Sequence, residues 1–211
     1  MVREVKITYT AEAEKNEVKF WNNKSYEEKL SIVQVLREQY IALFNKEEEY
    51  AESRKRLLPK GTPSEEEFIG LLNKYKVQYM IVGAYALALY TRPRNTGDID
   101  IFINKSKENS ESLMKVIKEF GFENAGIEES DFTFSGRIVQ LGVSPIRIDI
   151  INDIDGINFS DAYERLEKFK FGNITANFIS KIDIIKNKKS SNRKKDQADL
   201  DELEKFDEME L

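Results

Sequence analysis

The stretch from Tyr79 to Ile103 constrains this chain more than any other, because its pattern admits few folds. Tyr79-Met80-Ile81-Val82 has the length and composition of a short buried strand. Gly83 breaks it, and the small-residue run from Ala84 to Tyr90 predicts a helix that begins at once. The first N–H groups of such a helix have no intrahelical acceptor, so they can receive an anion such as a phosphate. Arg92-Pro93-Arg94 and Gly97 mark a loop, and Asp98-Ile99-Asp100-Ile101-Phe102-Ile103 predicts a second strand. Side chains alternate along a strand, which puts Asp98 and Asp100 on one face, about 7 Å apart, and the isoleucines on the other. Two carboxylates thus point together into a cleft whose far wall is a phosphate-sized nest. That arrangement suits a divalent cation and a nucleoside triphosphate.

What the chain lacks narrows the chemistry further. Its 211 residues include no His and no Cys. Zinc sites built on those ligands, Ser-His-Asp triads and thiol nucleophiles are therefore excluded. Catalysis is left to carboxylates, Lys, Arg, Tyr and hard cations, with Mg²⁺ the natural partner of carboxylate oxygens and Mn²⁺ its substitute. With 40% hydrophobic and 34% charged residues the sequence is that of a globular, well-solvated protein. A net charge of −5 gives no global signature of polyanion binding. No run approaches the roughly 20 apolar residues of a membrane span, and Met1-Val2-Arg3-Glu4-Val5 does not read as a signal peptide, so a cytoplasmic location is expected.

Taken in order, Val5 to Thr10 predicts a strand, and Ser25-Tyr26-Glu27-Glu28 is a capping box. The helix it opens carries Leu30, Val33, Leu36, Tyr40 and Phe44 on one face, with Trp21 before it as an anchor. A charged connection over 47–63 predicts a boundary near residue 62, giving a helical segment over 1–62 and a larger domain over 63–211. In the larger domain, helices are expected from Ser64, over Ser106–Phe120 up to Gly121, over Ser160–Phe169, and over Ser180–Lys189 and Arg193–Glu210. Strands are expected at Ile146–Ile151 and Ile174–Phe178, with a hairpin around Ser135-Gly136. The fold class is thus α/β (α+β), a mixed sheet with flanking helices and an N-terminal helical appendage.

Four stretches in order carry a family likeness. They are Val82-Gly83-Ala84-Tyr85-Ala86, Pro93-Arg94-Asn95-Thr96-Gly97-Asp98-Ile99-Asp100, Pro145-Ile146-Arg147-Ile148-Asp149-Ile150, and the run from Asp183 to Asp199. Together they resemble the nucleotidyltransferase superfamily typified by DNA polymerase beta. Residues 64–211 resemble more narrowly the bacterial AbiEii-like group, many of whose members are toxins of toxin–antitoxin pairs. The pattern around Trp21 and Ser25 to Tyr40 resembles small proteins encoded beside such enzymes, and implies a fused partner module; an ordinary packing helix is the equal alternative.

The resemblance implies Mg²⁺-dependent transfer of a nucleoside monophosphate from an NTP to an acceptor hydroxyl of RNA, such as a tRNA end, or of a protein. Asp98, Asp100 and Asp149 would hold the metals, and Asp149 would help deprotonate the acceptor. Gly83, Ala84, Arg94, Thr96, Lys188, Arg193 and Asp196 would form the nucleotide side of the site. In this scheme Asp196 positions Lys188 and Arg193, while Arg94 meets either the triphosphate or a structural carboxylate. Part of the closing charge run also reads as helix-surface pairing, such as Lys195 with Asp199. The superfamily usually has Gly or Ser after the first Gly, where this chain has Ala84. That departure favours the rival reading of a catalytically weak binding module, antitoxin-like or scaffold. Restraint of the core in cis by residues 1–60, a separate antitoxin partner and a homodimer are the partner expectations, and none involves a membrane.

Overall fold

The computed structural model describes residues 10–43, 65–143, 146–191 and 193–208. Two helices lead, α1 (Thr10–Asn22) and α2 (Tyr26–Leu43), and α3 (Glu65–Lys74) precedes the first strand. β1 (Tyr79–Val82) passes directly into α4 (Gly83–Tyr90), and β2 (Asp98–Ile103) is followed by α5 (Lys107–Ile117). Then come α6 (Glu129–Thr133), β3 (Ile138–Val143), β4 (Ile146–Ile151), α7 (Phe159–Tyr163), β5 (Glu167–Phe171) and β6 (Ile174–Phe178). α8 (Lys181–Ser191) and α9 (Lys194–Glu208) close the chain. The six strands form one mixed sheet in the order β3-β4-β2-β1-β6-β5, the α+β arrangement expected from the sequence.

Register matters most at the centre of this sheet. β1 runs antiparallel to β2 with Val82 opposite Asp100. β2 runs parallel to β4, pairing Asp98 with Arg147 and Asp100 with Asp149. The alternation of β2 then works as its pattern predicts: Ile99, Ile101 and Ile103 are buried in the core. Asp98 and Asp100 stay partly accessible on the other face. Leu30 and Val33 of α2 enter the same apolar cluster as Phe68, Ile81 and Leu113.

The capping box of α2 forms in both directions. The Ser25 N–H donates to Glu28 Oε2 at 2.8 Å, and the Glu28 N–H donates to Ser25 Oγ at 3.1 Å. The buried face of α2 is rotated from the one expected, however. Leu30 and Val33 are buried, but so are Lys29 and Arg37, while Leu36 and Tyr40 are only partly covered. Phe44 and nearly all of the expected strand at 5–10 lie outside the described residues, and Thr10 begins α1 instead.

Two further expectations give way. Phe132 and Thr133 belong to α6, and β3 pairs with β4 rather than folding back on them. Asn152, buried just after β4, donates its side-chain amide to the carbonyls of Phe132 and Phe134 and holds that segment in place. The helix expected over 160–169 stops at Tyr163. Glu167–Phe171 is an edge strand whose side chains alternate in exposure, joined to β6 through Gly172 at φ +62°.

Candidate active site

The glycine that ends β1 is fixed by what lies over it. Gly83 has φ +65°, in the left-handed region, and a Cβ built there would stand 2.0 Å from Asp100 Oδ2. Only glycine lets α4 start while the Asp100 carboxylate rests against the turn. Beside it opens a cleft of about 340 Å³, into which Gly83, Ala84, Asp98 and Asp100 face from the sheet side. Arg94 and Thr96 line it from the loop before β2, and Lys188, Arg193, Lys195 and Asp196 from α8 and the start of α9. Ile138, Ile151 and Ile154 make an apolar flank, with Asp153, Asp155 and Asn187 near them. Among the described residues, none of α1 or α2 lines this cleft.

The carboxylates of the cleft differ in their surroundings. Thr96 Oγ1 lies 2.9 Å from Asp98 Oδ1 and 3.1 Å from the Asp98 carbonyl, where its hydroxyl donates. Burial pushes the Asp100 carboxyl up to about 6, and the neighbouring charges of Asp98 and Asp149 push the same way. Lys195 and Lys188 oppose that rise only in part.

Asp149 is brought beside Asp100 by strand register, as an adjacent strand requires, yet its carboxylate does not line the cleft. Arg147 Nε donates to its Oδ1 at 2.7 Å and Nη2 to its Oδ2 at 2.9 Å, while Gln140 donates to Oδ2 at 3.2 Å. The same Arg147 Nη2 is paired with Asp98 Oδ2. A guanidinium thus bridges the first and third carboxylates. Among the described residues no group of three or more acidic side chains is gathered closely enough to hold a metal ion. Asp98 and Asp100 are the carboxylates that open on the cleft from β2, with Asp153 and Asp155 on its apolar flank.

On the opposite wall, buried aspartates organise the basic groups. Asp199, 1% exposed, receives Arg94 Nη1 at 2.6 Å and Lys188 Nζ at 2.8 Å. Asp196 is equally buried and takes hydrogen bonds from Lys188, Ser191 and Arg193. Burial alone would raise its carboxyl, but these donors outweigh it and hold it down at about 2. Arg94, Lys188 and Arg193, which line the cleft, are therefore each held by a buried carboxylate, and the buried Lys188 by two. Arg94 meets Asp199, not the strand aspartates. Lys195 and Asp199 show no ion pair with each other among the described residues; Lys195 instead shares the cleft lining with Asp100, on whose carboxylate its charge acts.

Sequence reasoning missed the bridging role of Arg147, the support from Gln140 and the burial of Asp199. The period of β4 already placed Arg147 on the face of Asp149, which was the available signal.

This geometry sits within a shared family. A family model described as nucleotidyltransferase of unknown function (DUF6036) matches residues 66–211. The chain belongs to that family. The match takes in every element that lines the cleft and begins after α2, so Lys29 and Arg37 lie outside the matched part of the chain. A search of curated proteins gives no match. Among the described residues, no helix is long and apolar enough to cross a membrane.

Proposed function

We propose that this nucleotidyltransferase transfers a nucleoside monophosphate from an NTP to an acceptor hydroxyl, with release of pyrophosphate, in the presence of Mg²⁺. The observation that carries the reading is the single cleft in which the N-terminus of α4 and the Asp98–Asp100 pair face a wall of Arg94, Lys188 and Arg193. Free N–H groups at the start of α4 and the basic wall suit a chain of phosphates between them. Asp98 and Asp100 would hold Mg²⁺, or Mn²⁺ in its place; bound there it would offset phosphate charge and stabilise the oxygens of an in-line displacement. Buried Asp196 and Asp199 hold the basic side chains in place beside the cleft, which lowers the ordering cost of binding. Asp149 holds Arg147 against Asp98, and its service to the acceptor or to a metal requires that pair to open.

The likeness of the four motifs to the AbiEii-like group supports an RNA or protein acceptor and a toxin's role. Incubation with each of four α-labelled NTPs, Mg²⁺ and a cell extract is the test, with Asp100→Asn as the control. A labelled macromolecule is expected with the unaltered chain and none with the variant. The second reading, a weak binding module, is favoured by Ala84 and by Arg147 standing between Asp98 and Asp149. NTP binding with no transfer under either metal would establish it. Growth arrest on expression that disappears in Asp98→Asn would support the toxin role.

A further inference from the structure

The N-terminal helix reaches the site through two buried cations. Lys29 of α2 donates from Nζ to the Leu89 carbonyl, in the last turn of α4, at 3.0 Å. Two turns further along, Arg37 is 1% exposed. It pairs with Glu65 at the start of α3, lies 5.5 Å from the centre of the Tyr85 ring, and donates from Nε to the Thr96 carbonyl at 3.3 Å. Thr96 is the residue whose hydroxyl meets Asp98. A continuous path therefore runs from Glu65 through Arg37 and Thr96 to the carboxylate that opens on the cleft. α2 grips the far end of α4 with one cation and the loop entering β2 with the other.

A buried ion pair is poor value for stability, because apolar residues of the same volume often pack as well or better. What the guanidinium supplies and an apolar side chain cannot is several directed donors in one rigid fork. Here those donors join α3 to the loop that presents Asp98. We propose that Arg37 is a positioning residue for the nucleotidyl-transfer site, acting on Asp98 through Thr96. The N-terminal helix is then a working part of the site instead of a cover over it. The proposal rests on the reading of Asp98 as a metal-side carboxylate.

The test uses the full chain. Because Arg37→Met alone strands Glu65, the primary variant is Arg37→Met with Glu65→Gln, which removes the pair without leaving a buried charge. Its companions are Thr96→Val and the combination of all three changes. Two measurements are made: amide hydrogen exchange in the metal-free protein, and Mn²⁺ affinity by electron paramagnetic resonance. In the Arg37/Glu65 variant, exchange over residues 95–99 is expected to quicken at least tenfold while β1 keeps its protection. Mn²⁺ affinity is expected to fall about tenfold. Thr96→Val should weaken Mn²⁺ to a similar degree, and the combined variant should be no worse than either, because both changes break one path. Losses in thermal midpoint, by contrast, should add.

Unchanged exchange over 95–99, or Mn²⁺ losses that multiply, would overturn the positioning role and leave Arg37 a packing residue. If the unaltered chain binds no Mn²⁺, the metal reading of Asp98 fails on that observation alone, and the exchange measurement still decides whether Arg37 orders the loop.

Discussion

Replacing Asp100 with Asn should stabilise the metal-free protein, although it removes a group central to the proposed reaction. Asp100 sits against the Gly83 turn with Asp98 and Asp149 nearby, and its carboxyl is raised from 3.8 to about 6. Because the folded protein holds this proton more tightly than the unfolded chain, stability falls as pH rises through that window. Below 3.8 the group is protonated in both states and exacts no penalty; above about 6 it is ionised in both and the full penalty applies. A rise of this size corresponds to about 3 kcal/mol, and partial solvent access reduces the usable figure to about 1–3 kcal/mol. Asn is close in shape and carries no charge. Urea unfolding in EDTA at pH 7.5 should show a gain of about 1–3 kcal/mol, or several degrees in Tm for a chain of this length. At pH 4 the gain should shrink to near zero. Adding Mg²⁺ at ten times its Kd should raise the unaltered chain by about 1.4 kcal/mol and leave the variant unmoved. Equal gains at both pH values, or a loss at pH 7.5, would refute the claim that charge crowding strains this site.

Gly83→Ala should cost about 2–3 kcal/mol in urea unfolding, through left-handed backbone strain and the collision with Asp100 Oδ2. Combining it with Asp100→Ala should return the part due to collision and leave about 1 kcal/mol of strain. Lys188→Met takes one charged donor from each of Asp196 and Asp199, which keep Ser191, Arg193 and Arg94, and should cost about 1.5–3 kcal/mol, whereas Lys194→Ala, exposed at the start of α9, should stay within about 0.5 kcal/mol. Thermal unfolding of both against Lys188→Met/Asp199→Asn, which should recover part of the loss, separates this account from a general weakness of α8.

The central strand–helix–strand was legible because its elements are fixed by local rules. Val82-Gly83 ends a strand, the isoleucines of β2 alternate, and the capping box at Ser25 uses groups three residues apart. β5 was missed because its run Glu-Lys-Phe-Lys-Phe lies at the sheet edge, where half the side chains face solvent and the apolar content is low. The rotation of α2 was hidden for another reason. Its buried face includes Lys29 and Arg37, and a hydrophobic period cannot detect cations whose partners are the Leu89 carbonyl, the Thr96 carbonyl and Glu65, 28 to 60 residues away.

The same limit explains what the sequence could say about the site. In the sequence Asp98, Asp100, Asp149 and Asp196 are the candidate aspartates and Asp199 reads as a helix-surface partner of Lys195, yet all five are one residue type. What divides them is the cation that the tertiary structure delivers to each. Asp196 and Asp199 are buried against Lys188, Arg94 and Arg193, and Asp149 against Arg147, so their charges are spent on holding those side chains. Asp98 gives one oxygen to Arg147 and the other to Thr96. Asp100 alone of the five has no side-chain hydrogen bond or ion pair among the described residues, and it is the one whose carboxyl is pushed up. A carboxylate that the fold gathers but does not neutralise lowers stability until a cation comes from outside. By that reasoning Asp100, together with the accessible edge of Asp98, is where an external cation gains most. Arg147 sets how much of Asp98 and Asp149 remains available to it.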